Sequence, residues 1–221
     1  AASDVYKRQV MADIRKIIEE KKIIAVLTID NAKDAVPVAN ALKAGGVTAI
    51  ELTLRTPAAL EAIRRIRGEV EGVTVAAGTV LKPEQVKQVV EAGADFAVSP
   101  GINPRVVKAA QDAGLFFGPG IMTPSEIEMA LELDCTLLKF FPAGTTGGLK
   151  HLNAMAAPYK HLGVKFIPLG GITCANVKEI LSDKLIAGVG GSWLAKPDVI
   201  NSGNFAEIER LAREVTEVIK G

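Results

Sequence analysis

The chain has 221 residues, 48% of them hydrophobic, and its 26 Lys and Arg are balanced by 25 Asp and Glu. This length and hydrophobic fraction suit one α/β barrel domain with a large core. The formal charge of +1, with no basic stripe, argues against a nucleic-acid or anionic-membrane surface. Cys135 and Cys174 match no metal or redox motif, so we expect a reducing cytoplasm. No membrane-spanning run or signal peptide is predicted.

The elements follow a regular rhythm along the chain. Residues 1–9 are polar and lack a starting Met, so we expect a non-native or disordered tail, followed by one domain over residues 10–221. An amphipathic pattern predicts a leading helix over Val10–Lys22. The predicted strands are Ile23–Ile29, Ala49–Leu54, Val73–Thr79, Phe96–Pro100, Phe116–Ile121, Thr136–Pro142, Lys165–Gly170 and Ile186–Gly190. The predicted helices are Asp34–Ala44, Pro57–Arg67, Pro83–Ala92, Pro104–Ala113, Pro124–Leu133, Gly148–Tyr159, Ala175–Ser182 and Phe205–Lys220.

Proline and glycine mark the predicted helix ends. Four helices are predicted to begin at a proline, where a missing N–H has no consequence: Pro57, Pro83, Pro104 and Pro124. Strand and helix alternate eight times, which predicts a parallel sheet and favours a closed (β/α)8 TIM barrel with an extra N-terminal helix. The alternative is a doubly wound open sheet, which usually has fewer repeats at this length. In a barrel the active site lies at the C-terminal ends of the strands.

The second strand ends in charged and polar side chains. Alternation places Glu51, Thr53 and Arg55 on one face, which in a barrel can point inward. A buried carboxylate and guanidinium are unfavourable unless they are paired or functional. They form either a structural ion pair or a site in which Glu51 transfers protons and Arg55 holds a substrate carboxylate. Thr79 adds a hydroxyl at the end of the third strand, and small residues and prolines end the next two.

The sixth strand contains a lysine in an apolar run. Lys139 stands between Leu138 and Phe140, and it either reaches solvent from a sheet edge or occupies an apolar site. Burial disfavours the ammonium form, so a buried lysine is a candidate amine nucleophile that forms a Schiff base with a carbonyl substrate. His151 and His161 have no carboxylate at ligand spacing, so no metal site and no catalytic histidine are predicted. Schiff-base chemistry on a lysine needs no organic cofactor, so none is predicted.

Glycine pairs follow the last two strands. Gly170 and Gly171 come after the seventh strand, and Gly190, Gly191 and Ser192 come after the eighth. In TIM barrels these loops commonly bind phosphate through backbone N–H groups and a helix N-terminus. The alternative is that the glycines only make tight turns.

Six motifs, in order, resemble one family of enzymes. They are Glu-Leu-Thr-Leu-Arg-Thr (51–56), Ala-Gly-Thr-Val-Leu (77–81), Val-Ser-Pro-Gly (98–101), Leu-Lys-Phe-Phe-Pro-Ala (138–143), Gly-Gly-Ile (170–172) and Gly-Gly-Ser-Trp (190–193). From about Ile23 to the C-terminus the chain resembles the class I aldolases of 2-keto-3-deoxy-6-phosphogluconate (KDPG) and 4-hydroxy-2-oxoglutarate (KHG). The resemblance implies a homotrimer that cleaves KDPG to pyruvate and glyceraldehyde 3-phosphate, with KHG, cleaved to pyruvate and glyoxylate, as a second substrate.

The resemblance also implies roles for individual residues. Lys139 matches the Schiff-base lysine, and Glu51 matches the general acid/base that works with a bound water. The residues implied for the substrate are Arg55, Thr79 and Pro100 for the pyruvyl group, Phe141 beside the imine, and Gly170, Gly171, Gly191 and Ser192 for the phosphate.

Three residues depart from the family's common pattern. Gly144 replaces a common Glu, Leu169 a common Thr, and Thr28 a common Arg. Leu169 removes a hydroxyl that would contact the sugar chain, which bears on the aldehyde and its stereochemistry but not on imine chemistry. Two alternatives therefore stay open: a pyruvate-imine enzyme for an unphosphorylated keto acid, such as an oxaloacetate decarboxylase, and a catalytically silent trimeric scaffold.

Overall fold

The structure, a computed structural model, describes residues 13–221. Its strands are β1 (Ile23–Leu27), β2 (Ala49–Thr53), β3 (Thr74–Gly78), β4 (Phe96–Val98), β5 (Phe116–Gly118), β6 (Gly120–Ile121), β7 (Leu137–Phe140), β8 (Lys165–Pro168) and β9 (Val189–Gly191). Its α-helices are α1 (described over residues 13–21), α2 (Ala35–Ala44), α3 (Ala59–Glu69), α4 (Pro83–Glu91), α5 (Pro104–Asp112), α6 (Pro124–Glu132), α7 (Gly148–Ala156), α8 (Val177–Ser182), α9 (Pro197–Asn201) and α10 (Phe205–Lys220).

The strands close into a parallel barrel. They pair in the orders β5-β4-β3-β2-β1-β9 and β6-β7-β8. Only Pro119, which has no N–H to donate, separates β5 from β6, so these two form one barrel strand. Two isolated bridges, Phe166 with Ile186 and Leu169 with Gly190, join β8 to β9 and close the barrel. The predicted (β/α)8 barrel is confirmed.

Two apolar cores lie on either side of the barrel wall. In β7, Leu138 and Phe140 face the outer core beneath the helices, and Leu137 faces the barrel interior. Ile14 and Ile18 of α1 belong to the interior core, so α1 covers the N-terminal end of the barrel. This helix is the described part of the predicted leading helix. Residues 1–12, which include the predicted tail and Val10, lie outside the described residues. The C-terminal end of the barrel is left for the site.

Several predicted boundaries need correction. Pro83, Pro104 and Pro124 do begin their helices, but the prediction for Pro57 was wrong. Pro57 lies in a turn where the Ala59 N–H donates to the Thr56 carbonyl, and α3 begins only at Ala59.

The C-terminal third also differs in detail. The helix predicted over Gly148–Tyr159 ends as an α-helix at Ala156 and continues as a 3₁₀-helix over Ala157–Leu162, where Pro158 removes one backbone donor. The short helix α9 was not predicted, because its five residues are too few to show a helical period.

Candidate active site

Lys139 lies inside the barrel and not at a sheet edge. Its strand β7 pairs with β6 and β8, and its register partners are Gly120 and Ile167. The lysine is 5% exposed although it carries an ammonium-forming group. Of the two interpretations made from the sequence, the structure therefore supports the buried amine and excludes a side chain that reaches solvent from an edge.

Glu51 is the partner of this lysine. The Nζ atom of Lys139 lies 2.9 Å from Oε1 of Glu51, and the two side chains are 6% and 3% exposed. The residues are 88 positions apart in sequence, and the closed barrel brings them together across its interior. A carboxylate at hydrogen-bonding distance from an amine can exchange a proton with it, which is the geometry required of a general acid/base beside a nucleophile.

Arg55 does not join this buried pair. Strand β2 ends at Thr53, so the predicted shared face of Glu51, Thr53 and Arg55 holds only for the first two. Arg55 is exposed at the mouth, where its Nε donates to Oγ1 of Thr79 at 3.4 Å. Thr79 has φ +60°, a left-handed conformation that costs a β-branched residue on the order of 1–3 kcal/mol and is most often retained at functional sites.

Phe141 and Pro100 border the lysine. The ring centroid of Phe141 lies 5.8 Å from the Nζ atom of Lys139, and the ring is half-buried. Pro100 passes very close to Gly120, since a Cβ on Gly120 would lie 2.2 Å from the Pro100 carbonyl oxygen. Because Gly120 is the register partner of Lys139, the Pro100 backbone is adjacent to the lysine's strand neighbour.

Two threonine hydroxyls form a pair that the sequence did not reveal as functional. The Thr53 hydroxyl donates to the Leu27 carbonyl at 3.0 Å. It lies 2.9 Å from the Thr28 hydroxyl, and because its single proton is already used, Thr28 must be the donor. Alternation predicted that Thr53 points inward, but no sequence signal marks a contact between the ends of β1 and β2.

The loop after β8 exposes the backbone of two glycines. Gly170 and Gly171 have φ +89° and +80°, conformations that favour glycine, and both are exposed. Within residues 13–221, the backbone N–H groups of Gly171 and Ser192 donate no hydrogen bond. These two donors are therefore available to an anion at the mouth of the barrel.

Gly191 has a different structural reason to be glycine. A Cβ on Gly191 would lie 2.1 Å from Cζ3 of Trp193, so the indole ring occupies that space. The contact with Trp193 therefore explains glycine at this position without a bound ligand. The indole Nε1 of Trp193 is buried and has no hydrogen-bond partner among the described residues.

Residues 13–221 contain neither a metal-binding cluster nor a membrane-spanning helix. No group of three or more His, Cys, Asp or Glu side chains lies close enough to hold a metal ion. No helix in this part of the chain is long and apolar enough to cross a membrane.

Comparison with known proteins decides the family. The family model described as KDPG and KHG aldolase matches residues 14–211. The chain belongs to this family. It is 43% identical over 204 residues to the KHG/KDPG aldolase of Escherichia coli K12, with 92% of this chain and 95% of that protein covered. Membership confirms the predicted family and the predicted enzyme class, a class I aldolase.

Solved structures agree with this assignment. The KDPG aldolase of Zymomonas mobilis ZM4, solved with 3-phosphoglycerate, is 40% identical with a TM-score of 0.84, covering 93% of this chain and 95% of that one. The KDPG aldolase of Legionella pneumophila, with pyruvate captured as a covalent carbinolamine, is 36% identical with a TM-score of 0.86, covering 91% and 97%. Both confirm the barrel for this chain.

Proposed function

We propose that this enzyme cleaves KDPG through an imine on Lys139, with Glu51 as general acid/base. The observation that carries the proposal is the buried contact of 2.9 Å between Nζ of Lys139 and Oε1 of Glu51. Through it, Glu51 can take the ammonium proton and leave a neutral amine, which is the form that attacks a carbonyl. The solved relative from Legionella, with its covalent carbinolamine, supports the same class of chemistry.

The proposed cleavage consists of proton transfers and of the making and breaking of bonds at C2, C3 and C4, and it needs no oxidant and no metal. The neutral amine of Lys139 adds to C2 of the keto acid and forms a carbinolamine. Glu51 gives the proton that it took from the ammonium to the carbinolamine hydroxyl, which leaves as water, so that an iminium ion and the Glu51 carboxylate result. Glu51, through a water molecule, takes the proton of the C4 hydroxyl; the C3–C4 electron pair then moves into the iminium as the aldehyde leaves. The protonated Glu51 returns a proton to C3 of the enamine. Water finally hydrolyses the iminium and releases pyruvate.

The surrounding residues are proposed to hold the pyruvyl group. Arg55 and Thr79 meet at the mouth, and the exposed guanidinium offers paired donors to a substrate carboxylate. Phe141 and the backbone of Pro100 border the lysine and would form the apolar wall beside the imine.

Trapping with borohydride tests the nucleophile. Incubation of the enzyme with pyruvate and sodium borohydride should add one reduced pyruvyl group, and peptide mass analysis should locate it on Lys139. Lys165, which begins β8 and is half-buried, serves as the internal control for nonspecific modification of strand lysines. Labelling elsewhere, or no labelling of a folded sample, would exclude Lys139 as the imine-forming residue.

The phosphate is proposed to bind at Gly170, Gly171, Gly191 and Ser192. The available N–H groups of Gly171 and Ser192 support this site. Gly191→Val would be a poor test because its side chain would collide with Trp193. Ser192→Ala is cleaner: Ser192 is exposed, its backbone N–H is kept, and the change removes only the hydroxyl, which the family resemblance implies as a further donor to the phosphate. Loss of a hydrogen bond to a charged group, worth roughly 1.5–3 kcal/mol, should raise KM for KDPG roughly 10- to 100-fold.

Substrates and controls complete this test. KHG has no phosphate, so Ser192→Ala should leave its KM unchanged. Cleavage of KHG is itself proposed as a second activity, since the Escherichia coli relative bears both substrate names. Ser202→Ala is the matched control, because this exposed serine donates only to the Val199 carbonyl at the end of α9. An equal rise in KM for both substrates would mean that Ser192 serves the loop and not the phosphate.

The assembly and its location are proposals as well. The homotrimer implied by the family resemblance is supported by exposed large apolar side chains that association could cover: Leu81, Val90, Met122, Met129 and Leu162. Light scattering should give three times the chain mass of 23.2 kDa, and a monomer in dilute solution would contradict it. Both cysteines are free thiols, which supports a reducing cytoplasm.

A further inference from the structure

Gly78 ends strand β3 directly beside the carboxylate of Glu51. A Cβ built on Gly78 would lie 2.0 Å from Oε1 of Glu51, 2.7 Å from its Cδ and 2.8 Å from its Cγ. The end of the Glu51 side chain therefore lies flat against the bare backbone of Gly78. Among the glycines of residues 13–221, this is the one whose missing side chain would meet a carboxylate.

Backbone conformation does not explain this glycine. Gly78 is absent from the positive-φ residues, unlike Gly170 and Gly171, so a larger residue could adopt its dihedral angles. The requirement at Gly78 is for space, and the atoms that occupy the space belong to Glu51.

The strands around Gly78 cannot move apart to relieve a clash. Strands β2 and β3 are paired at five positions, the last of which joins Thr53 to Gly78. The Gly78 carbonyl also accepts a hydrogen bond from the Leu54 N–H at 2.8 Å. With the backbone held in this ladder, the group that must yield to a new side chain is the carboxylate of Glu51.

We propose that Gly78 is a positioning residue that holds the Glu51 carboxylate against Nζ of Lys139. The inference rests on the proposed function, because it assigns Gly78 a role only through the general acid/base. A methyl group at position 78 would turn Glu51 out of its place and leave the amine of Lys139 without its proton partner. Proton transfer at C3 should then fail. Imine formation should be slower but should persist, because water can take the ammonium proton in place of Glu51, and borohydride captures the imine as it accumulates.

Gly78→Ala is the test, and Gly118→Ala is its matched control. Gly118 is the last residue of β5, and its Cβ would lie 3.3 Å from Cγ1 of Val98 and 3.5 Å from the Leu137 carbonyl oxygen, with no atom of Glu51 within 4 Å. Two readouts are measured on the folded enzymes: borohydride trapping of pyruvate, and exchange of the pyruvate methyl protons with deuterated solvent. Gly78→Ala should lower the exchange rate by about 10²- to 10⁴-fold, the usual contribution of a general acid/base, and keep trapping.

A double variant separates this role from a general loss of structure. If Gly78 acts through Glu51, adding Gly78→Ala to Glu51→Gln should lower proton exchange no further. Shortening the carboxylate should also relieve the clash, so Glu51→Asp in the Gly78→Ala background should recover part of the lost exchange. If adding Gly78→Ala to Glu51→Gln lowers the rate of proton exchange by a further 10²- to 10⁴-fold, the proposal is overturned.

The outcomes for the two proposals are distinguishable. Failure of wild-type enzyme to be trapped at Lys139 refutes the proposed function. Normal trapping together with Gly78→Ala exchange within tenfold of wild type refutes only the role of Gly78. If Gly78→Ala does not fold, Glu51→Asp/Gly78→Ala should fold, since the obstructing carboxylate is withdrawn. Failure of that double variant to fold would also overturn the inference.

Discussion

Replacing Lys139 by Met would remove the buried ion pair and keep the volume of the side chain. At the observed 2.9 Å between Nζ of Lys139 and Oε1 of Glu51, two unit charges attract by roughly 6 kcal/mol at an effective dielectric constant of about 20. Desolvation of both groups offsets much of that attraction. Removal of one partner from a buried pair nevertheless costs about 3–5 kcal/mol, because the other is left buried without compensation. Lys139→Met should therefore lower the free energy of unfolding by about 3–5 kcal/mol.

Urea unfolding followed by circular dichroism measures this loss. Wild type and variants are compared at one chain concentration, since association would add to apparent stability. The control is Lys165→Met, because Lys165 is a half-buried strand lysine that donates to the Lys184 carbonyl and pairs with no carboxylate among the described residues. Its replacement should cost about 1 kcal/mol, the net value of one such hydrogen bond. The urea concentration at the midpoint should fall. The slope of the free energy of unfolding against urea concentration should stay the same if the native and unfolded states keep their compactness.

A double variant decides whether the cost arises from the pair. Lys139→Met/Glu51→Gln contains no buried carboxylate, so it should be more stable than Lys139→Met alone by about 0.5–3 kcal/mol, the usual coupling between contacting residues. Two results would show that the buried pair is not energetically coupled in the folded protein. One is that Lys139→Met lowers the free energy of unfolding by no more than Lys165→Met does. The other is that the double variant is no more stable than Lys139→Met alone.

Three further changes probe other contacts of the site and core. Glu51→Gln should still be trapped by pyruvate and borohydride but should lose aldol cleavage and pyruvate proton exchange by about 10²- to 10⁴-fold, and wild-type exchange would make Glu51 structural. Thr53→Val should cost about 0.5–1.5 kcal/mol in urea unfolding, because it removes the hydroxyl that donates to the Leu27 carbonyl and that accepts from Thr28. Thr28→Val keeps the bond to Leu27 and should cost less; the reverse order would contradict the donor assignment. Burial raises the pKa of the Cys135 thiol to about 12, so native protein at pH 8 should resist alkylation there until it unfolds. The thiol of the unfolded chain has a pKa of about 8.5, so the unfolded state loses its proton at a lower pH than the folded state does. The free energy of unfolding should therefore fall as pH rises from there towards 12, and Cys135→Ala should make this fall smaller.

The barrel could be predicted because its signals are local. Each apolar run and each helical period involves residues within one element, and Pro83, Pro104 and Pro124 mark helix starts through their own missing N–H groups. Lys139 stood out for the same reason, as a charged residue within a short apolar strand. Pro57 shows the limit, since the same residue type occupies a turn when the neighbouring carbonyl of Thr56 accepts from Ala59.

The contacts that make the site belong to the tertiary structure alone. Lys139 and Glu51 are 88 residues apart, and their separation of 2.9 Å depends on barrel closure and on the stagger between strands that are not neighbours. The glycines show the same dependence. Gly78 leaves space for Glu51, Gly191 leaves space for Trp193, and Gly171 needs a positive φ. A sequence presents three identical residues at these positions, because the atom that would collide with each missing side chain is determined only when the chain has folded.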